Sequence, residues 1–280
     1  MLIKRVITAV VLLCILAIDL SLENRWPLLL FFSLVVGLTA FEWLRLTAPG
    51  QTAIAVIAGL VLGGGTIWQA QVWLETEGAG MALFQVAVVV STLIWLIVVP
   101  WRLMAAKIDQ QPRSLAWSAF APVCLYATWG ALALLWISSG AWSLLSLLLI
   151  IWIADILAYF GGRRFGKNKL APSISPGKTR EGAAFGLAGV ILWMLVTAEF
   201  DDSYANWLKQ AWGWAGLLFG SIVLGLLAIM GDLFESYLKR QADVKDSSSL
   251  LPGHGGVYDR VDAVVAVVPV AYFLVSDFWR

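Results

Sequence analysis

Nine apolar stretches, at about 6–20, 27–42, 53–74, 81–99, 117–138, 141–160, 183–199, 212–230 and 263–276, follow one another along the 280 residues of this chain. An α-helix needs about 20 residues to cross the hydrocarbon core of a bilayer, and only closed hydrogen-bonded structures survive there. A mean hydropathy of +0.84 with only 13% charged residues leaves too little polar surface for a water-soluble fold. The expected architecture is therefore all-α: a polytopic integral membrane protein of about nine transmembrane helices. The first, second and ninth stretches are short, which fits tilted, partial or interfacial segments. Residues 1–280 read as a single membrane domain, with 1–115 as scaffold helices and 116–280 carrying the two large polar segments, 161–182 and 231–262.

Loop charge tests the count independently. With nine crossings and a cytoplasmic N-terminus, the inner side holds 16 of the 19 Lys and Arg residues, leaving Arg25, Lys209 and Arg280 outside. Glu75, Glu77, Glu199, Asp201 and Asp202 fall on the outer side, as the positive-inside rule allows. Both large polar segments then face the cytoplasm. A net charge of +1 argues against a nucleic-acid partner. Cys14 and Cys124 lie far apart in apolar runs without CxxC spacing, so they read as small core residues. Lys4-Arg5 before an apolar run imitates a signal peptide, but no small-x-small cleavage site follows, and a retained first helix is expected.

Chemistry concentrates between Asp232 and Asp262, where six acids, four bases and the chain's one histidine occupy 31 residues. A continuing helix places Asp232, Ser236 and Lys239 at i, i+4 and i+7, lining one face with an acid, a hydroxyl and an amine. Pro252-Gly-His-Gly-Gly256 then breaks the helix and exposes backbone N–H groups, and Asp259 and Asp262 stand at i and i+3 at the head of the last helix. Oxygen ligands with no cysteine and one histidine favour Mg²⁺ over zinc or copper. An ion-pair network among Asp232, Lys239, Arg240, Lys245, Asp246, Asp259 and Arg260 is the plainer alternative. His254 is either a substrate contact or loop filler. Upstream, Gly161 to Gly182 mixes glycine with Arg, Lys, Ser and Thr and reads as an anion cradle, or as a basic loop that sets topology and touches lipid heads. Gly177-Lys178-Thr179 resembles the end of a Walker A loop, but Pro172 occupies the required upstream glycine position and an apolar helix rather than a strand is expected to precede it. Asp155, near the end of the sixth stretch, is an intramembrane acid that either pairs with Arg163 or Arg164 or serves a bound ligand.

The run Ser236-x-Leu238-Lys239-Arg240, four residues, Lys245-Asp246, then Leu250-x-Pro252-x-His254-Gly255-Gly256-Val257-x-Asp259-Arg260-Val261-Asp262 resembles the signature of the phosphatidate cytidylyltransferases, or CDP-diacylglycerol synthases, without a departure. Ser175-Pro176-x-Lys178-Thr179-x-Glu181-Gly182 is similar to the family's second, shorter motif, and length and span count agree over essentially the whole chain. The resemblance implies a homodimeric bacterial inner-membrane enzyme that condenses CTP with phosphatidic acid to CDP-diacylglycerol and pyrophosphate. It implies Mg²⁺, with K⁺ the candidate second ion, held by Asp232 and Asp259 with Asp246 and Asp262 close by and Lys239 in the catalytic set. Substrate contacts implied with it are Asp155, Ser175, Lys178, Thr179, Arg180, Glu181, Ser236, Arg240, Lys245, His254, Gly255, Gly256 and Arg260. The rival readings are a CTP-dependent polyprenol or dolichol kinase, an archaeal-type ether-lipid cytidylyltransferase, and a cation transporter. Acids gathered at the ends of spans rather than along a crossing path speak against the last.

Overall fold

The computed structural model of the chain describes residues 24–76, 81–105, 114–251 and 255–276. They are mostly helical: α1 (Trp26–Thr47), α2 (Thr52–Thr76), α3 (Ala82–Ala105), α4 (Leu115–Phe165), α5 (Arg180–Thr197), α6 (Tyr204–Gln241) and α7 (Tyr258–Val275). The first six are long and apolar enough to cross a membrane. The stretch expected at 6–20 lies outside the described residues.

Two helices contain a glycine break. Gly140 in α4 has φ +80° and Gly213 in α6 has φ +68°, a left-handed conformation that only glycine adopts at little cost. The break at Gly140 separates limbs 115–139 and 141–165, matching the boundary between the fifth and sixth apolar stretches. In α3 the turn Ile94–Val98 widens to a π-helix just ahead of Pro100, which has no N–H to offer the carbonyl one turn back.

One departure from an all-helical chain lies in the segment 161–182. After α4 ends at Phe165, β1 (Lys169–Ala171) pairs antiparallel with β2 (Ser175–Thr179), with Lys169 opposite Thr179 and Ala171 opposite Ser175. Glycine content and the Pro172 and Pro176 positions give the segment no helical period, and a two-stranded hairpin satisfies its backbone instead.

The chain divides into two compact units. One comprises residues 1–87, 110–141 and 238–261. Within it α1 crosses α2 closely, since a Cβ on Gly59 would come within 2.6 Å of the Gly37 carbonyl oxygen. Small residues let helix backbones approach where lipid supplies no hydrophobic drive for association. Buried rings fill the rest: Trp73 stacks on Trp129 at 5.3 Å, Phe84 meets Trp73 edge-on, and Trp129 Nε1 donates to Ser33 Oγ at 3.0 Å.

The other unit comprises residues 88–109, 142–237 and 262–280. Its second α4 limb packs against α5 through Ala154, Ala158, Gly161, Gly182 and Gly186, and a Cβ on Gly186 would approach the Ala154 carbonyl oxygen to 2.6 Å. Hydrogen bonds from Tyr204 Oη to the Ala271 carbonyl at 2.9 Å and from Trp212 Nε1 to the Leu274 carbonyl at 2.7 Å tie α6 to α7. Trp95 meets Phe234 edge-on at 5.3 Å and seats α6 on α3.

Close helix crossing has a measurable consequence. Gly186→Val should destabilise the protein by about 1–3 kcal/mol through overpacking, while Gly64→Val, where an added Cβ meets nothing within 4 Å, should leave thermal melting in detergent nearly unchanged.

Candidate active site

The hairpin delivers the first functional side chain. Residues alternate across β2, so Lys178 and Thr179 project to opposite sides. Lys178 Nζ reaches Asp232 Oδ2 on α6 at 2.5 Å, joining the two large polar segments in one ion pair. Thr179 is the N-cap of α5: its Oγ1 accepts from the Gly182 N–H at 3.1 Å, and its extended backbone fits that position.

Glu181 serves the hairpin itself. Its carboxylate accepts from the Lys167 and Asn168 amides at 3.1 and 3.2 Å and from Asn168 Nδ2 at 2.7 Å, closing the turn between α4 and β1. It holds the cradle's shape with the chain's own donors. The Arg180 amide donates to the Asn168 carbonyl at 2.8 Å, leaving its exposed side chain outside the hairpin. Ser175 is half-buried at the Ala171 pairing position.

Asp232 has carboxylate neighbours as well as a lysine. Asp232, Glu235 and Asp262 each offer an oxygen, and these oxygens lie within 4.8 Å of one another. Gly231 makes this possible: a Cβ there would fall 2.5 Å from the Asp262 carbonyl oxygen and 2.8 Å from Ala263 Cα, so only glycine lets α6 and α7 approach this closely. Ser236 Oγ sits 3.5 Å from Asp232 Oδ1, one turn along α6. Three carboxylate oxygens at this spacing suit a hard divalent cation such as Mg²⁺, which takes one or two carboxylates and completes its shell with water and phosphate. Glu235 was not among the residues the signature nominates, although its i+3 spacing from Asp232 on a helix is a signal for it.

Beside this cluster, a cavity of about 440 Å³ opens within the same unit, walled by Asp155, Tyr159, Arg163, Lys178, Thr179 and Ile229. Arg163 Nη1 donates to Tyr159 Oη at 3.3 Å. Asp155 therefore shares a wall with Lys178 and Arg163, and the cavity has acid, base and apolar surface together.

In the other unit, Asp259 stands in the first turn of α7 with both oxygens engaged. Oδ1 accepts from Lys239 Nζ at 2.6 Å, and Oδ2 accepts from the Gly256 amide at 2.7 Å and from the Ser247 amide and hydroxyl at 3.0 and 2.9 Å. This ion pair is more buried than that of Lys178 with Asp232. Gly255 has φ +88°, turning the backbone so that the Gly256 amide faces Asp259. Lys245 and Asp246 are exposed, as are the side chains of Arg240 and Arg260. His254 lies outside the described residues. Asp262 is the α7 carboxylate grouped with Asp232 and Glu235 among the described residues.

A family model described as the Cytidylyltransferase family matches residues 3–278. The chain belongs to the cytidylyltransferase family. Its relatives include a phosphatidate cytidylyltransferase of Pseudomonas aeruginosa, 35% identical over 96% of this chain and 95% of the relative. Another of Haemophilus influenzae is 32% identical over 98% of both chains, and one of Brucella abortus is 33% identical over 88% of this chain and 84% of the relative. Because Gly231 sets the approach of α6 to α7, Gly231→Val should weaken Mn²⁺ binding, read by electron paramagnetic resonance, about tenfold or more, the usual effect of moving the support behind a metal ligand.

Proposed function

We propose that this protein transfers the cytidylyl group of CTP to phosphatidic acid, giving CDP-diacylglycerol and pyrophosphate, on the cytoplasmic side of a bacterial inner membrane. Membership of the family, relatives of that activity along nearly the whole chain and the long signature from Ser236 to Asp262 all support the reading. The observation that carries it is the Asp232, Glu235 and Asp262 cluster with Lys178 at its edge. Nine crossings with the N-terminus inside, argued from loop charge, and a homodimer, argued from the resemblance, belong to the same proposal.

In the reaction, a phosphate oxygen of phosphatidic acid forms a bond to the α-phosphorus of CTP, and the bond from that phosphorus to the bridging oxygen breaks, releasing pyrophosphate. A phosphate monoester has its second pKa near 6 and is mostly dianionic at neutral pH, so no side chain need remove a proton. The barrier comes from bringing two polyanions together. Mg²⁺ held by Asp232, Glu235 and Asp262 would supply charge neutralisation at the phosphates and leaving group. Lys178, already against Asp232, is placed to exchange that carboxylate for a phosphate oxygen. Arg180, Lys239 and Lys245 add positive charge, and Asp155 and Tyr159 shape the cavity wall. The resemblance also makes Asp259 a metal ligand, with K⁺ as the second ion. Its engagement by Lys239, Ser247 and Gly256 gives it a second role, orienting the Lys239 ammonium.

A CTP-dependent polyprenol kinase needs an acceptor for a hydroxyl proton and yields CDP, so the product separates the two readings. Detergent-solubilised protein given CTP, phosphatidic acid and Mg²⁺ should release pyrophosphate, and EDTA should stop it. Asp232→Asn should lower turnover by about a thousandfold or more, as expected when a charge-neutralising group is lost, while Lys239→Ala should lose less because several bases share the anion. CDP in place of pyrophosphate overturns the proposal. Near-normal turnover of Asp259→Asn removes that residue from the metal-binding set.

A further inference from the structure

Glu42 is a fully buried acid in the otherwise apolar run Ala40-Phe41-Glu42-Trp43-Leu44 near the end of α1. A carboxylate in such surroundings is costly unless its oxygens meet donors. Oε1 accepts from the Ser248 hydroxyl at 2.5 Å and the Val257 amide at 3.0 Å, and Oε2 accepts from the Ser247 hydroxyl at 3.0 Å and the Tyr258 amide at 2.6 Å. The two amides open α7, where the first N–H groups have no intrahelical acceptor, so Glu42 caps a helix 215 residues further along the chain. The next residue reinforces the grip: Trp43 stacks on the Tyr258 ring at 4.9 Å with 13° between planes. Glycine is required opposite, since a Cβ on Gly256 would collide with Ser247 Oγ and the Glu42 carboxylate.

Ser247 links this clamp to the signature. Its hydroxyl lies 3.0 Å from Glu42 Oε2 and 2.9 Å from Asp259 Oδ2, and Asp259 Oδ1 in turn holds Lys239. One hydroxyl proton serves two carboxylates, so the hold of Glu42 on Ser247 and the hold of Ser247 on Asp259 are coupled. We propose that Glu42 is a positioning residue: it fastens residues 247–248 and 257–258 to α1 and, through Ser247, sets the orientation of the Asp259 carboxylate and the Lys239 ammonium. The consequence for turnover rests on the reaction proposed above; the clamp itself does not.

Two measurements on the full-length protein in detergent test it. In hydrogen exchange, Glu42→Gln should speed exchange at the Val257 and Tyr258 amides about tenfold or more, the loss of a hydrogen bond to a charged group, with α2 and α5 unchanged. In steady-state kinetics, Glu42→Gln and Ser247→Ala should each lower kcat about tenfold with KM for phosphatidic acid within about threefold, the pattern of an interaction felt mainly in the transition state. The double variant should be no slower than the slower single variant, because both changes cut the same link, and Ser248→Ala should keep most of the activity. Losses that multiply in the double variant, wild-type kcat in Ser247→Ala, or unaltered exchange at 257 and 258 each overturn the proposal. Should Glu42→Gln not fold, Ser247→Ala alone decides: reduced kcat at unchanged melting temperature sustains it, and wild-type kcat ends it. Wild-type protein making no CDP-diacylglycerol refutes the reaction instead, and the exchange result still reads on the clamp.

Discussion

A carboxylate beside hydrocarbon persists only where donors or cations meet its oxygens, and the polar architecture of this protein follows from that demand. Asp232 is met by Lys178, Asp259 by Lys239 with Ser247 and Gly256, Glu181 by the Lys167 and Asn168 amides, and Glu42 by two hydroxyls and two amides. In most of these the partner comes from a separate segment. Satisfying the acids therefore fastens the hairpin to α6 in one unit and the segment before α7 to α1 in the other.

Such contacts need backbones at unusually short range, and glycine supplies it. Gly231 admits Asp262 beside Asp232, Gly256 admits the Glu42 carboxylate, and Gly182 and Gly186 draw α5 onto the second limb of α4, which carries Asp155 and Tyr159. In lipid, apolar side chains gain nothing by leaving one helix face for another, so close packing and polar contacts decide which helices meet. The same small residues that stabilise the crossings thus bring the functional groups together. The carboxylate cluster, with Lys178 at its edge, is a product of that packing.

Much of this was legible in the residues themselves. Among the described residues hydropathy found each long helix, although α6 runs from Tyr204 to Gln241 beyond its 212–230 apolar stretch, and the break between the fifth and sixth stretches falls at Gly140, where the backbone turns left-handed. Asp232, Ser236 and Lys239 lie together on the limb of α6 that follows the break at Gly213. Other features were not legible. The hairpin of 169–179 has no periodic signal in strands of three and five residues, the second holding both a proline and a glycine. Glu42 and Glu235 escaped although each carries a signal: Glu42 is a lone acid in an apolar run, by the same rule that singled out Asp155, and Glu235 is one turn from Asp232.

Sequence alone determined that the chain is a helical membrane protein of the cytidylyltransferase kind, since hydrophobic length and residue order are local properties written directly in the chain. Tertiary structure alone decided which acids keep company: Asp232 with Glu235 and Asp262, Asp259 with Lys239, Glu42 with the start of α7. Spacing along a helix says which face a side chain occupies, but the partner across a helix crossing depends on how closely two backbones approach, and that is set by glycines whose effect appears only when the helices are packed.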